Sequence, residues 1–340
     1  MGQAQGIEQV RYYRAGRWVD DPAALLGGGS PGRKHRFKYP RWAKDWYWKR
    51  ACQGQVFHAP NYFLPLYAEN GVVTVHDLSV FKFPETHPVE RVRQFEKSFR
   101  QTLGIATHLI TDSEITRQEV IAYFGWPSER VTAIPLGVSP VFTPRTPAQL
   151  TPVLQRYGLN PGAYSLCVST IEPRKRIDSL LAAYARLPRA IRAAYPLVLV
   201  GGKGWHSEHL HASIEAAQQA GWLRYLGFVD EADLPALYAG AHLFVYPSIY
   251  EGFGLPVLEA MASGVPVVTS NCSSLPEVSQ GAALLLDPDD VAGLSNGMKM
   301  ALLDESWRSA ARANGLHVAQ RYTWEQCAQQ TLDVYRTVIA

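Results

Sequence analysis

The stretch Ser248-Ile249-Tyr250-Glu251-Gly252-Phe253-Gly254-Leu255-Pro256-Val257-Leu258-Glu259-Ala260-Met261-Ala262-Ser263-Gly264-Val265-Pro266-Val267-Val268-Thr269-Ser270-Asn271-Cys272-Ser273-Ser274 decides the fold. With the run that leads into it, it reads as strand, loop, short helix, strand. The run before it, Ala241-His242-Leu243-Phe244-Val245-Tyr246, is apolar and closed by Pro247, as expected of a strand buried on both faces. Gly252 and Gly254 permit positive φ and close backbone approach, and Pro256 suits the first helical position, where its missing N–H costs nothing. The helix is predicted to begin near Leu255 and to end at Gly264, which suits a left-handed C′ position, before Val265 to Thr269 resume as a strand.

This geometry aims the amides of Gly252, Phe253, Gly254 and Leu255 and the positive end of the helix at one spot, suited to an anion such as phosphate. Glu251 lies in the loop and Glu259 in the first helical turns, so both carboxylates reach a ligand placed there. Acids beside a phosphate site are electrostatically costly unless they bind hydroxyls, and sugar or ribose hydroxyls fit. An ordinary strand-to-helix turn with solvated acids is the alternative.

The spacing Glu251-x7-Glu259, within Glu251-Gly252-Phe253-Gly254-Leu255-Pro256, resembles the signature of retaining GT-B glycosyltransferases of glycosyltransferase family 4. Gly264 to Val268, Pro276-Glu277-Val278 and the stretch from Gly281 to Pro288 follow in the family's order. The resemblance implies that Glu251 contacts the transferred sugar, that Glu259 contacts the nucleotide ribose, and that no metal or other cofactor is required. Thr170-Ile171-Glu172-Pro173-Arg174-Lys175-Arg176 sets three adjacent cations between a strand and a helix, where they offer charge-assisted bonds to a diphosphate. It resembles the family's Glu-Pro-Arg-Lys element, which implies donor binding by Lys175 and Arg174; a basic surface turn is the alternative. Many members carry a further Arg where this chain has Ser169-Thr170.

Val73-Thr74-Val75-His76-Asp77-Leu78-Ser79 resembles the family's N-domain histidine motif, which implies that His76 approaches the donor sugar across the cleft. With His87-Pro88-Val89-Glu90-Arg91 it is similar to mannosyl- and rhamnosyltransferases of lipopolysaccharide O-chain synthesis. A strand-end histidine also serves as a hydrogen-bonded structural residue, and for His58 both readings stand.

A length of 340 residues allows two domains, and 47% hydrophobic with 19% charged residues marks a globular chain. Cys52, Cys167, Cys272 and Cys327 form no C-x-x-C pair, which argues for reduced thiols and against zinc. No run reaches the ~18 apolar residues of a membrane span. Residues 32–50 carry eight Lys or Arg against Asp45 alone, interleaved with Tyr39, Trp42, Trp46, Tyr47 and Trp48. That mixture favours the headgroup layer of an anionic membrane. A basic, solvated helix covering the core through its aromatics is the other reading, and no nucleic-acid-binding module accompanies the patch. The expected location is cytoplasmic, with a peripheral hold on the inner face of the membrane.

Elsewhere the pattern predicts one short hairpin near the start, strands ending at Tyr62, Asp77 and Thr111, and helices over 89–103 and 114–124, the second capped by Ser113. Pro140, Pro144, Pro147 and Pro152 suit an interdomain connection, and Thr323 suits the cap of a final helix. The expected fold is α/β, GT-B, with two Rossmann-like domains facing a cleft. Residues 1–145 would form an acceptor-side domain, 146–322 the nucleotide-sugar domain, and 323–340 a helix packing back on the first. The resemblance covers residues 55–340. The strand, glycine-rich loop and helix that open family members are not found, so the N-terminal domain is expected to be incomplete by roughly 80–100 residues. The implied activity is retaining transfer of mannose or a deoxyhexose such as rhamnose from a nucleotide-diphospho-sugar, GDP-mannose or a GDP-deoxyhexose, to a lipid-linked saccharide. A nucleotide-sugar-binding remnant without transferase activity is the alternative.

Overall fold

A computed structural model describes residues 9–14, 17–19, 40–205 and 207–339. Strands β1 (Tyr12–Arg14) and β2 (Arg17–Val19) form the predicted hairpin. β3 (Val56–Ala59), β4 (Asn70–Val75), β5 (Ala106–Thr111) and β6 (Val131–Ala133) make a parallel sheet in that order. A second parallel sheet combines β7 (Ser165–Val168), β8 (Leu197–Val200), β9 (Leu223–Gly227), β10 (Leu243–Tyr246), β11 (Val267–Ser270) and β12 (Leu284–Leu286) in the order β12-β11-β10-β7-β8-β9.

The inner strands of the second sheet are buried and predominantly apolar because both faces are covered. Val198, Val200, Phe244, Tyr246 and Val267 pack into one core, and Leu197, Leu199, Leu243, Val245 and Val268 into another on the opposite face. This alternation is the strand's period of two. It leaves the loops after β7 and β10 side by side at the carboxyl edge of the sheet, where open α/β sheets bind ligands.

Local signals act as expected where capping chemistry is strong. Helix Glu114–Phe124 starts at Ser113, whose hydroxyl accepts the Thr116 N–H, and Gly125 takes a left-handed φ of 62° after its end. Within the proline-rich stretch, Pro147–Leu154 is a helix. Pro147 sits in its first turn behind a capping box of Thr146 and Gln149, and Pro152 forfeits a single intrahelical bond. The predicted strand ends at Tyr62 and Asp77 were also too late, because their polar residues belong to loops past Ala59 and Val75.

Helix Trp324–Ile339 leaves the second domain and lies across the first sheet, burying Val334 against Val72, Ile110 and Ile134. His58 belongs to this join. Its ring nitrogens lie 2.6 Å from the Tyr335 hydroxyl and 2.8 Å from Thr74 Oγ1, and burial lowers its pKa to about 4. The crossing is tight at Gly137, where a Cβ would lie 2.2 Å from the Trp324 amide nitrogen. Among the described residues no helix is long and apolar enough to cross a membrane. Of the basic aromatic segment, residues 32–39 lie outside the described residues; the rest forms helix Arg41–Ala51.

Gly137→Ala forces backbone against backbone at this crossing and is expected to cost about 1–3 kcal/mol. Thermal unfolding measures it; an unchanged midpoint would mean the C-terminal helix is not held at this point.

Candidate active site

The loop after β10 and the turn after β7 meet through charge. Lys175, buried behind the short turn Pro173–Lys175, places Nζ 2.5 Å from Glu251 Oε1 and donates to the Tyr246 hydroxyl at 3.0 Å. Tyr246 donates in turn to the same Glu251 oxygen at 2.8 Å. Arg174 spans Glu172, at 2.7 Å, and Glu251 Oε2, at 3.5 Å, and donates to the Tyr250 carbonyl. Burial alone would raise the Glu251 pKa. The adjacent Lys175 and Arg174 charges overcome it and hold the carboxyl at about 2, and the acids around Arg174 raise its pKa in return. Arg176, read beside these two in sequence, turns away to Asp289 at 2.7 Å.

Helix Leu255–Ala262 follows this network directly. Gly254 precedes it with φ 115°, and Pro256 occupies its second position, whose N–H also lacks an intrahelical acceptor. Phe253 is buried against Tyr322 and the Phe253 carbonyl accepts from Ser274 Oγ at 2.7 Å, so the loop is fastened from below. Ser273 and Ser274 both donate to the Glu251 carbonyl, at 2.5 and 3.0 Å. Glu259 lies a turn further on, beside Tyr238, and burial raises its carboxyl to about 7. The two acids of one signature thus sit in opposite environments.

Of the two uses expected of Gly252, the structure shows the close backbone approach. Its φ is not left-handed; instead a Cβ there would lie 1.7 Å from the His76 carbonyl oxygen. The first domain docks on this spot. Ser113 and Thr116 hydroxyls donate to the Gly252 carbonyl at 2.6 and 3.2 Å, and Tyr250 accepts the Leu78 N–H at 3.0 Å while donating to Glu119 at 2.6 Å. Glu277 closes the seam by accepting the Glu114 and Ile115 amides at 2.8 and 3.2 Å, so a carboxylate of one domain caps a helix of the other.

His76 therefore meets the second domain through its main-chain carbonyl. Its ring is 41% exposed, with Nδ1 2.8 Å from Asp112 Oδ2 and Nε2 2.8 Å from the Pro60 carbonyl. A carbonyl can only accept, so Nε2 carries a proton. Burial works against a second proton, but Asp112 more than offsets it and the net pKa is raised. Sequence reading missed Asp112, Tyr246, Tyr250 and the latch formed by Glu277. Asp112 had a signal, since it follows β5, the neighbour of the strand leading to His76, on the same carboxyl edge. Among the described residues, no three His, Cys, Asp or Glu side chains gather into a metal site.

The carboxyl of Glu259, raised from 4.5 to about 7 on folding, keeps its proton longer in the folded chain. Its contribution to stability is complete below 4.5 and is lost as pH rises through about 7. Glu259→Gln should remove that loss, so the variant's thermal midpoint gains on the wild type from about pH 5 to about pH 8. A constant difference between them would show that Glu259 does not ionise in this window.

Two family models divide the chain: Glycosyltransferase Family 4 matches residues 4–142 and Glycosyl transferases group 1 matches 157–318. The first reaches further toward the N-terminus than the motifs from residue 55 onward. O-antigen chain mannosyltransferase B of Escherichia coli is 46% identical over 305 residues, covering 89% of this chain and 79% of that protein. Serotype-specific mannosyltransferase WbdA of Escherichia coli is 34% identical over 67% of this chain, which spans 28% of WbdA. Among solved structures, Anabaena Alr3699/HepE in complex with UDP superposes with a TM-score of 0.72 at 20% identity, covering 87% of this chain and 82% of that one. The two parallel sheets, the ionic network at the carboxyl edge of the second and these matches lead to one conclusion: the chain belongs to glycosyltransferase family 4 and is a glycosyltransferase of the GT-B fold.

Proposed function

We propose that this glycosyltransferase acts in O-antigen synthesis, moving a mannosyl residue, or a related deoxyhexosyl residue, from a GDP-sugar to a lipid-linked saccharide with retention of configuration. The observation that carries the reading is the buried Lys175–Glu251–Arg174 network at the N-terminus of helix Leu255–Ala262. The mannosyltransferase names of the two Escherichia coli relatives support the sugar. The GDP donor follows from the family resemblance, and UDP in the solved neighbour makes it the comparison to test.

In this reading Lys175, Arg174 and the loop amides from Gly252 to Leu255, which lead into the helix, neutralise the charge that grows on the departing diphosphate. Preorganised donors of this kind do not have to reorient as the bond breaks. Glu251, ionised near neutral pH because its pKa is about 2, accepts hydrogen bonds from hydroxyls of the transferred sugar. The His76 carbonyl faces the same loop and supplies negative potential where positive character develops at the anomeric carbon. Glu259 takes the ribose hydroxyls. Its neutral form donates as well as accepts, which a vicinal diol can use.

The lipid-linked acceptor gives helix Arg41–Ala51 a partner, an anionic membrane surface. Trp42 and Trp46 are 75% and 63% exposed, Tyr47, Lys49 and Arg50 are exposed with them, and Trp48 anchors the helix by stacking on Tyr67. Aromatic rings beside cations match a headgroup layer.

Titration with GDP, with UDP in comparison, is expected to show tighter GDP binding, and GDP release from GDP-mannose should depend on a lipid-linked mannose acceptor. Glu251→Gln should lower that release about 100-fold or more. Full activity in the variant would remove Glu251 from the reaction, and binding without release would favour a nucleotide-sugar-binding remnant. Sedimentation with phosphatidylglycerol vesicles tests the membrane face: binding should weaken with salt and with Trp42→Ala/Trp46→Ala, and no binding at low salt would eliminate it.

A further inference from the structure

His87 and Trp205 meet across the seam between the domains. His87 follows the turn Pro84–Thr86, is 7% exposed, and has no hydrogen-bond partner at either ring nitrogen. Its ring centroid lies 6.0 Å from that of Trp205, and the Arg91 guanidinium stands 4.6 Å over the same indole. The turn leading to Trp205 is pinned beside the donor network. The Gly204 N–H donates to the Ile171 carbonyl at 3.0 Å, and a Cβ on Gly204 would lie 3.0 Å from Glu172 Cβ. Glu172 is the residue paired with Arg174.

We propose that His87, Trp205 and Arg91 form the subsite that receives the terminal saccharide of the acceptor, an inference that rests on the transferase reading above. A neutral imidazole carries one donor and one acceptor, so a buried ring lacking both partners calls for a group that accepts at one nitrogen and donates at the other. Sugar hydroxyls do both, whereas a phosphate dianion only accepts. Burial, with Arg91 and Arg174 nearby, lowers the His87 pKa despite Glu172 and Asp77, which favours the neutral ring. Trp205 is 41% exposed, which leaves an apolar surface for the C–H face of a pyranose. Arg91 is exposed beside it. Lys175 is buried and Arg174 largely covered, while Trp205 and Arg91 open to solvent, the side from which a long membrane-tethered saccharide must enter.

The test measures transfer to a lipid-tailed mannoside by His87→Leu, His87→Gln and Trp205→Leu. The Leu variants are expected to raise acceptor KM about tenfold or more while GDP affinity by calorimetry stays within about twofold. His87→Gln, which keeps a donor and an acceptor, should recover most of the loss. An unchanged acceptor KM, or an equal rise in donor KM, overturns the assignment. Binding of the same mannoside in the presence of GDP, followed by saturation-transfer NMR, needs no turnover. Binding by the wild type that disappears in Trp205→Leu supports the subsite; binding that persists in both Leu variants, or is absent from the wild type, overturns it. Nucleotide and mannoside binding without transfer by the wild type would sink the transferase reading alone.

Discussion

A carboxylate with little access to water needs compensating charge, and much of this site follows from supplying it to Glu251. Removing such a group from water costs several kcal/mol unless partners are close and well oriented. Here they are Lys175 at 2.5 Å, Tyr246 at 2.8 Å and Arg174 at 3.5 Å. Their convergence comes from topology. β7 and β10 are adjacent and parallel, so the turn carrying the cations and the loop carrying the acid leave the sheet at the same edge. Tyr246 ends β10 itself, which explains why a strand residue joins a loop network. Losing one partner would leave a buried charge uncompensated, a defect worth ~3–5 kcal/mol where such pairs have been broken.

The same loop is the docking surface for the first domain, so site and closure are one structure. Gly252 presents its bare Cα to the His76 carbonyl and its own carbonyl to Ser113 and Thr116. Glu277 satisfies helix amides that would otherwise turn to water. Each of these polar contacts exchanges with solvent on opening and is worth ~1 kcal/mol. A seam held by a few such contacts can separate to admit substrate without unfolding either sheet. The helix Trp324–Ile339, packed on the first sheet through Val334 and Tyr335, ties the domains together independently of those contacts.

What could be read in the sequence was what local chemistry decides. Ser113 and Gly125 bracket a helix by capping alone, Gly254 and Pro256 start one, and an apolar run such as Leu197 to Val200 has few alternatives to a buried strand. The acids and cations of the network were legible as types at loop positions. Their pairing was not, because it joins residues 76 apart and depends on which strands become neighbours. The seam was less legible still: Glu277 meets a helix 163 residues away, and nothing local marks it as a cap. Gly252 was identified for close approach, yet its neighbour proved to be His76 from the other domain.

The different ionisation of the two signature acids bears on how the site tolerates an anion. At the position proposed for the diphosphate, Lys175 and Arg174 are already matched by Glu251 and Glu172. A diphosphate brought there adds negative charge to a cluster that is close to neutral, so attraction by the two cations is not enough by itself. The helix N-terminus contributes part of the difference. Glu259 contributes by being raised to about 7, since a carboxyl that holds its proton near neutral pH adds no full charge beneath the incoming anion. An anion overhead would raise that pKa further. Burial on one side of the helix would thus keep the second acid of the signature compatible with a phosphate held, as proposed, by the first acid's partners.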